Sequence, residues 1–129
     1  MWGKRKEQGN ILIIGGFHKA RSLANSLLKK GYHVTVVNKE YADCEKLAEV
    51  SKINVIYGDG SKRFILEDAG ASDCKVAIAL TSSDENNLVI CEMCKQFFHV
   101  KKTVALLNDP SKTHFFYQMF LNIPFFLLF

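Results

Sequence analysis

Short apolar runs alternate with segments of helical periodicity along the whole chain. The apolar runs predict strands at residues 10–15, 32–38, 53–57, 75–80 and 103–107. The periodic segments predict helices at about residues 20–30, 42–50, 61–69, 84–98 and 110–121. The first helix should bury Leu23, Leu27 and Leu28, and the second Leu47 and Ala48. This alternation predicts an α/β fold, a doubly wound parallel sheet in three layers with about six strands. The run KVAIAL at 75–80 is nearly all apolar, which is typical of a central strand covered on both faces.

The two ends of the chain differ from the segment between them. Residues 1–9 form a basic tail that carries much of the net charge of +4, and residues 10–122 form one domain. Residues 123–129 end in IPFFLLF, which predicts either a sixth strand at the sheet edge or a patch that packs on a second subunit. Because this apolar end has no polar cap, we expect that the chain is cut short or lacks a C-terminal domain.

Composition narrows the class of protein. A hydrophobic share of 48% and a charged share of 23% are ordinary for a globular domain. No basic face with interleaved aromatics follows the tail, so nucleic acid is not the expected partner. Neither a signal peptide nor a membrane-length apolar stretch is visible, and we expect a cytoplasmic protein. Cys91 and Cys94 form a CxxC inside a helical pattern, so we interpret the cysteines as core residues with no metal.

The segment ILIIGGFHKA at 11–20 predicts a strand, a glycine turn and a helix, which is the context of a phosphate-binding loop. The pattern G-x-G-x-x-G would place glycines at positions 15, 17 and 20, which hold Gly15, Phe17 and Ala20. Gly16 adds a second glycine to the turn, and His18 and Lys19 add positive charge where a helix N-terminus favours an anion. Phe17 should crowd a pyrophosphate more than a single phosphate. The alternative is a turn that needs glycine for its geometry alone.

Ligands of open α/β sheets bind beyond the carboxyl ends of the strands, so the residues after each strand are candidates. These residues are polar or glycine-rich at every corner: 15–20, 38–40, 58–61, 81–83 and 108–109. Asn38 stands where a dinucleotide site holds an acid for the ribose, with Lys39 and Glu40 beside it. Neither an NADP-type ligand nor one with adenosine alone is excluded by this pattern.

Two of these corners also have a structural interpretation. Asp59, in the sequence GDGS, could meet an adenine edge, or Asp59 or Ser61 could cap a helix by accepting N–H bonds. The run TSSDE at 81–85 is most simply interpreted as a helix cap. Asn87 should lie one turn into that helix, on the side that faces the cleft. No catalytic set of residues is present in the sequence, which predicts a protein that is not an enzyme.

Taken together, ILIIGG, GDGS (58–61), T-x-x-D-E-x-N (81–87) and NDP (108–110) resemble the TrkA N-terminal domain family, also called RCK or KTN domains. The resemblance spans roughly residues 10–122. It implies a Rossmann-like domain that regulates a potassium channel or transporter, binds NAD(H) or an adenine nucleotide such as AMP, ADP or ATP, and forms dimers or rings. It also implies ligand contacts from twelve residues: Gly15, Gly16, Phe17, His18, Lys19, Ala20, Asn38, Lys39, Asp59, Gly60, Thr81 and Asn87.

This chain departs from the family pattern at Phe17, Ala20, His18, Asn38 and Leu106. Three hypotheses therefore stay open. The first is a potassium-transport regulator switched by a nucleotide, and we expect a mononucleotide to be accepted at least as readily as NAD. The second is a domain of an NAD(P)-dependent oxidoreductase. The third is a degenerate assembly module without a ligand.

Overall fold

The computed structural model describes residues 8–50, 52–119 and 126–128. The strands are β1 Asn10–Ile14, β2 His33–Asn38, β3 Ile53–Tyr57, β4 Val76–Ala79, β5 Lys102–Leu106 and β6 Phe126–Leu128. The α-helices are α1 His18–Lys29, α2 Tyr41–Ala48, α3 Arg63–Asp68, α4 Asp84–Gln96 and α5 Thr113–Met119. Short 3₁₀ turns at Ala71–Asp73 and Pro110–Lys112 precede β4 and α5.

The strands form a sheet in the order β3-β2-β1-β4-β5-β6. Every pair of neighbouring strands is parallel. The chain builds outward from β1 to β3, then crosses back to place β4 on the other side of β1. The predicted doubly wound sheet is therefore confirmed, and its strand order reverses between β1 and β4.

Two apolar clusters cover the two faces of the sheet. In β1, Leu12 and Ile14 belong to the cluster that includes Leu88 of α4, while Ile11 and Ile13 belong to the cluster that includes Ala20 of α1. Successive side chains of a strand point to opposite faces, so one short apolar run supplies both clusters. This arrangement confirms the three layers, and β4 is one of the two central strands, as its sequence predicted.

Helix boundaries differ from the prediction by one or two residues at several ends, and two predicted buried faces also differ. The fully buried residues of α1 are Ala20 and Ala24, whereas its leucines are only partly buried, because small side chains let the helix approach the sheet closely. In α2, Leu47 is buried as predicted but Ala48 is exposed, so the prediction for Ala48 was wrong. Ala48 ends the helix, on the solvent side of the turn. The third helix starts at Arg63, two residues later than predicted.

Part of the apolar C-terminal segment forms a sixth strand, which was one of its two predicted structures. Phe126–Leu128 pairs with Val104–Leu106 as a sixth parallel strand at the sheet edge. Residues 123–125 and 129, and residues 1–7 of the basic tail, lie outside the described residues. The predicted last helix is a 3₁₀ turn at Pro110 followed by α5, and its residues 120–121 also lie outside them.

All four cysteines are free thiols, but Cys74 is only partly buried and does not lie fully in the core as predicted. Cys44, Cys91 and Cys94 are buried, and burial raises the pKa of Cys91 to about 12. Within residues 8–50, 52–119 and 126–128, no group of three His, Cys, Asp or Glu side chains is arranged to hold a metal ion. In the same ranges, no helix combines the length and the apolarity that a membrane crossing requires.

Candidate functional site

The turn after β1 brings the backbone of three strands close together. Gly15 and Gly16 have φ of 80° and 76°, the left-handed region that glycine adopts without strain. A Cβ on Gly15 would lie 2.5 Å from Thr81 Cγ2, and one on Gly16 would lie 3.2 Å from the Leu80 carbonyl oxygen. The Gly15 amide donates to the carbonyl of Val37 on β2, at 2.8 Å. Both glycines are therefore required because the turn lies close to Leu80 and Thr81 at the end of β4. This supports the interpretation in which the turn needs glycine for its geometry, and it leaves room for a phosphate.

The N-terminus of α1 points its free N–H groups into the same region. Phe17 is the N-cap residue, and no side chain caps the helix there. Since the first N–H groups of a helix lack partners within it and carry partial positive charge, they favour an anion. His18 and Lys19 follow and line the adjoining cavity. The arrangement suits a phosphate group.

Phe17 lines the cavity and also packs against the apolar cluster on the α1 side of the sheet. Its ring centroid lies 4.9 Å from the Arg21 guanidinium and 5.7 Å from Lys46 Nζ, and it meets the His18 ring edge to face. Cations beside an aromatic face are attracted to its quadrupole. The ring is thus held in place by packing and by flanking cations. Its predicted effect on a pyrophosphate stays a prediction.

The side chain of Asn38 forms hydrogen bonds with other parts of the protein. Its Nδ2 donates to the Gly16 carbonyl at 3.0 Å, and its Oδ1 accepts from the Glu40 amide at 2.7 Å. The side chain therefore joins the glycine turn to the start of α2, and each of its two polar atoms has one hydrogen-bonding position engaged within the protein. Lys39 and Glu40 are exposed at the cavity instead, so Glu40 is the available acid at this corner.

The GDGS corner after β3 is a compact turn. Asp59 Oδ1 accepts from the Ser61 amide at 2.9 Å and from Ser61 Oγ at 2.7 Å. These hydrogen bonds, with the positive charges of nearby lysines, hold the pKa of Asp59 below its usual value. The prediction that Asp59 or Ser61 caps the helix was wrong, because α3 begins after Lys62. A Cβ on buried Gly60 would lie 2.2 Å from Ile14 Cγ2, so this corner presses against the end of β1.

The corner after β4 contains the predicted helix cap, because Ser83 Oγ accepts from the Asn86 amide at 3.2 Å. Asn87 is fully buried. Its Oδ1 accepts from the Thr81 amide at 2.9 Å and from Thr81 Oγ1 at 2.5 Å. Its Nδ2 donates to the carbonyls of Thr81 at 3.0 Å and Leu106 at 2.9 Å. All four hydrogen-bonding positions of the amide are filled. Asn87 joins β4 to β5 and does not reach the cavity, contrary to its predicted orientation.

Asp84 is a functional candidate that the sequence interpretation assigned only to helix capping. Its buried carboxylate accepts from the amides of Asn108 at 2.6 Å and Asp109 at 3.0 Å, and from Asn108 Nδ2 at 2.9 Å. Burial alone would raise the pKa of Asp84, but these hydrogen bonds and the charge of Lys112, 3.8 Å away, outweigh it and lower the pKa. Asp84 thus anchors the loop after β5 to the start of α4.

These corners enclose one cavity of about 460 Å³ at the carboxyl ends of the strands. Its lining includes ten predicted site residues: Gly15, Gly16, Phe17, His18, Lys19, Asn38, Lys39, Asp59, Gly60 and Thr81. Ala20 and Asn87 are not among the lining residues, since both are fully buried beneath the loops. Asp43 and Asn86 line it but were missed. Both lie in the first turn of a helix after a corner, which was the available signal.

The profile of the TrkA-N domain family matches residues 11–124. The Trk system potassium uptake protein TrkA of Haemophilus influenzae is 31% identical over 78% of the chain and 22% of that protein. A TrkA homologue of Methanothermobacter thermautotrophicus is 32% identical over 78% of the chain and 46% of that protein. The chain therefore spans less than half the length of either relative.

Two solved structures share the fold. The GsuK channel bound to NAD matches with a TM-score of 0.72 and 23% identity, over 87% of this chain and 20% of that one. The Kef C-terminal domain of Shewanella denitrificans, in its AMP-bound form, matches with a TM-score of 0.70 and 22% identity, over 92% of this chain and 71% of that one.

Proposed function

The chain belongs to the TrkA-N domain family, and from this premise we propose that it is a regulatory domain of a potassium channel or transporter, controlled by a nucleotide in the cleft. Its relatives, which are Trk system potassium uptake proteins, support potassium as the transported ion. Since the chain spans only part of those proteins, the membrane-embedded partner is inferred from the relatives.

The ligand proposed for the cleft is an adenine nucleotide, AMP, ADP or ATP, or NAD(H). The observation that carries this proposal is the cavity itself, which joins a double-glycine turn, an uncapped helix N-terminus and polar side chains from every neighbouring corner. Such a combination is suited to a phosphorylated ligand with several hydrogen-bonding groups. Fold neighbours with bound NAD and AMP support the same ligand class.

The geometry supports a division of roles among the lining residues. The loop at Gly16 and the N-terminus of α1, with His18 and Lys19, are the candidates for phosphate, since the Gly15 amide already donates to Val37. Glu40 or Lys39 is the candidate for the ribose hydroxyls, because the Asn38 amide is already engaged. The turn at 58–61 is the candidate contact for adenine.

Regulation would follow if the ligand favours one arrangement of the domain or its partners, since a ligand shifts an equilibrium only by its difference in affinity for the two states. We propose that the domain acts on the cytoplasmic side of the membrane, as a homodimer or a larger ring, and that it is not an enzyme. The names of its relatives, which are uptake proteins, support a regulatory role over an oxidoreductase.

The test is thermal unfolding with a panel of AMP, ADP, ATP, NAD, NADH and NADPH. A ligand at about 100 times its Kd should stabilise the fold by roughly 2.7 kcal/mol. The variant Lys19→Gln should reduce the shift, because it removes a charge from the phosphate end of the cleft. Lys29→Gln is the matched control, since Lys29 lies in the last turn of the same helix.

The panel also separates the alternatives. If no nucleotide raises the melting temperature, the assembly module without a ligand replaces the regulatory proposal. If NADPH alone does, the oxidoreductase gains support. If Lys19→Gln and Lys29→Gln show the same ligand-induced shift in melting temperature, the phosphate does not bind beside Lys19.

A further inference from the structure

Asn108 presents an unused acceptor at the far side of the cleft. It lines the cavity and is exposed. Its Nδ2 donates to the Thr81 carbonyl at 3.1 Å and to Asp84 Oδ1 at 2.9 Å. Among the residues that the structure describes, none donates to Asn108 Oδ1. The side chain therefore keeps one strong acceptor for a ligand.

Asp84 determines which end of this amide is free. A carboxylate and a carbonyl only accept hydrogen bonds, so the NH₂ group must face Asp84 and Thr81 and the oxygen must point elsewhere. Asp84 also accepts from the backbone amides of Asn108 and Asp109, which holds the loop itself. Rotation of the amide would place its oxygen against two acceptors. Asp84 is thus a positioning residue for Asn108.

The place of Asn108 in the sheet decides which part of a ligand it can meet. The turn at 58–61 follows β3, and Asn108 follows β5, four strands away in the order of the sheet. At about 4.8 Å between neighbouring strands, the two corners are roughly 19 Å apart. A ligand that touches both must cross the point between β1 and β4 where the strand order reverses. A mononucleotide anchored at the β2 and β3 corners ends before that point, whereas a dinucleotide continues past it.

We propose that Asn108, oriented by Asp84, adds affinity for a dinucleotide by accepting a hydrogen bond from its second, non-adenosine half, an effect opposite in sign to the one predicted for Phe17. This inference rests on the proposed nucleotide site and concerns its specificity. The donor is a hydroxyl or amide N–H of the nicotinamide riboside half of NAD. AMP carries no group that reaches Asn108.

The test compares the Kd of NAD and the Kd of AMP, measured by calorimetry on the full chain. Asn108→Ala removes the acceptor, and we expect it to weaken NAD about two- to tenfold while AMP is unchanged. Asp84→Asn should act in the same direction, because an amide in its place no longer enforces the orientation of Asn108. Glu85→Gln is the matched control, a carboxylate-to-amide change at the next residue, whose exposed side chain pairs with Lys112 outside the cavity.

The ratio of the two constants is the decisive measurement, since a general loss of structure would weaken both ligands together. Equal losses for NAD and AMP in Asn108→Ala would overturn the proposal, as would binding of AMP without NAD to the unaltered protein. If neither NAD nor AMP binds and no other nucleotide of the thermal panel does, the proposed function itself is refuted. Asn108 is exposed in a loop, so Asn108→Ala keeps the test available if Asp84→Asn fails to fold.

Discussion

Replacing Asn87 with leucine removes the amide that joins β4, α4 and β5 while keeping a side chain of similar size. The Thr81 N–H then loses its partner, and the carbonyls of Thr81 and Leu106 each lose one donor. Because Asn87 is fully buried, water cannot easily replace these hydrogen bonds.

The cost follows from what each group keeps. The Thr81 N–H has no second partner among the described residues and should cost about 1–3 kcal/mol when unsatisfied. The Thr81 carbonyl retains Asn108 Nδ2 at 3.1 Å, so the two carbonyls should cost about 0.5–1.5 kcal/mol each. We therefore expect a loss of about 2–6 kcal/mol, against a total of roughly 6–19 kcal/mol for a domain of 129 residues.

Urea unfolding followed by circular dichroism measures the difference. Asn86→Leu is the matched control, since it makes the same change at the neighbouring, exposed position of the same helix. We expect Asn86→Leu to change the free energy of unfolding by less than about 0.5 kcal/mol. If the two variants lose similar stability, the buried network does not carry the energy assigned to it and the reasoning is refuted.

Three further outcomes are expected. Gly60→Ala should destabilise the fold by about 1–3 kcal/mol in thermal unfolding, because its Cβ would lie 2.2 Å from Ile14 Cγ2. An unchanged Tm would show that the turn at 58–61 moves to accommodate the methyl group. Thr103→Val should be neutral or stabilising by up to about 1 kcal/mol, since the only polar side chain beside the buried Thr103 Oγ1 in the described ranges is the Cys91 thiol, outside ordinary hydrogen-bond geometry; a clear loss in urea unfolding would show that this contact stabilises the fold. Acid should destabilise the protein as the pH falls below about 4. The pKa of Asp84 is lower in the folded protein than in the unfolded chain, so the ionised carboxylate stabilises the fold above the unfolded pKa. This stabilisation is lost as the pH falls through the folded pKa. Asp84→Asn should flatten that part of the pH profile, and an equally steep profile would contradict the assignment.

Much of the fold was predictable because its signals are local. The apolar run at Ile53–Tyr57 predicted its strand to the residue, and Pro110 predicted the start of a helical turn. The boundaries that were wrong depend on neighbouring loops. The helix after β3 starts late because Asp59 binds Ser61 in a turn of its own.

The candidate site was predictable as a set of corners but not in the roles of its polar side chains. A polar residue after a strand lies near the cleft in any doubly wound sheet. Whether it faces the ligand or the protein depends on partners distant in the chain. Asn38 binds Gly16 and Asp84 binds Asn108, 22 and 24 residues away.

The sequence by itself determined the order of strands and helices, the double-glycine turn after β1 and the family to which the chain belongs. Periodicity, glycine and short motifs act within a few residues, so they survive without knowledge of the fold. Only the tertiary structure decided that the side-chain amides of Asn38 and Asn87 form hydrogen bonds within the protein. It also decided that the Asn108 side-chain oxygen is left available to the cleft. A hydrogen bond is directional and needs its two groups within a narrow range of distance and angle, and these groups meet only when the packed sheet brings distant strands side by side.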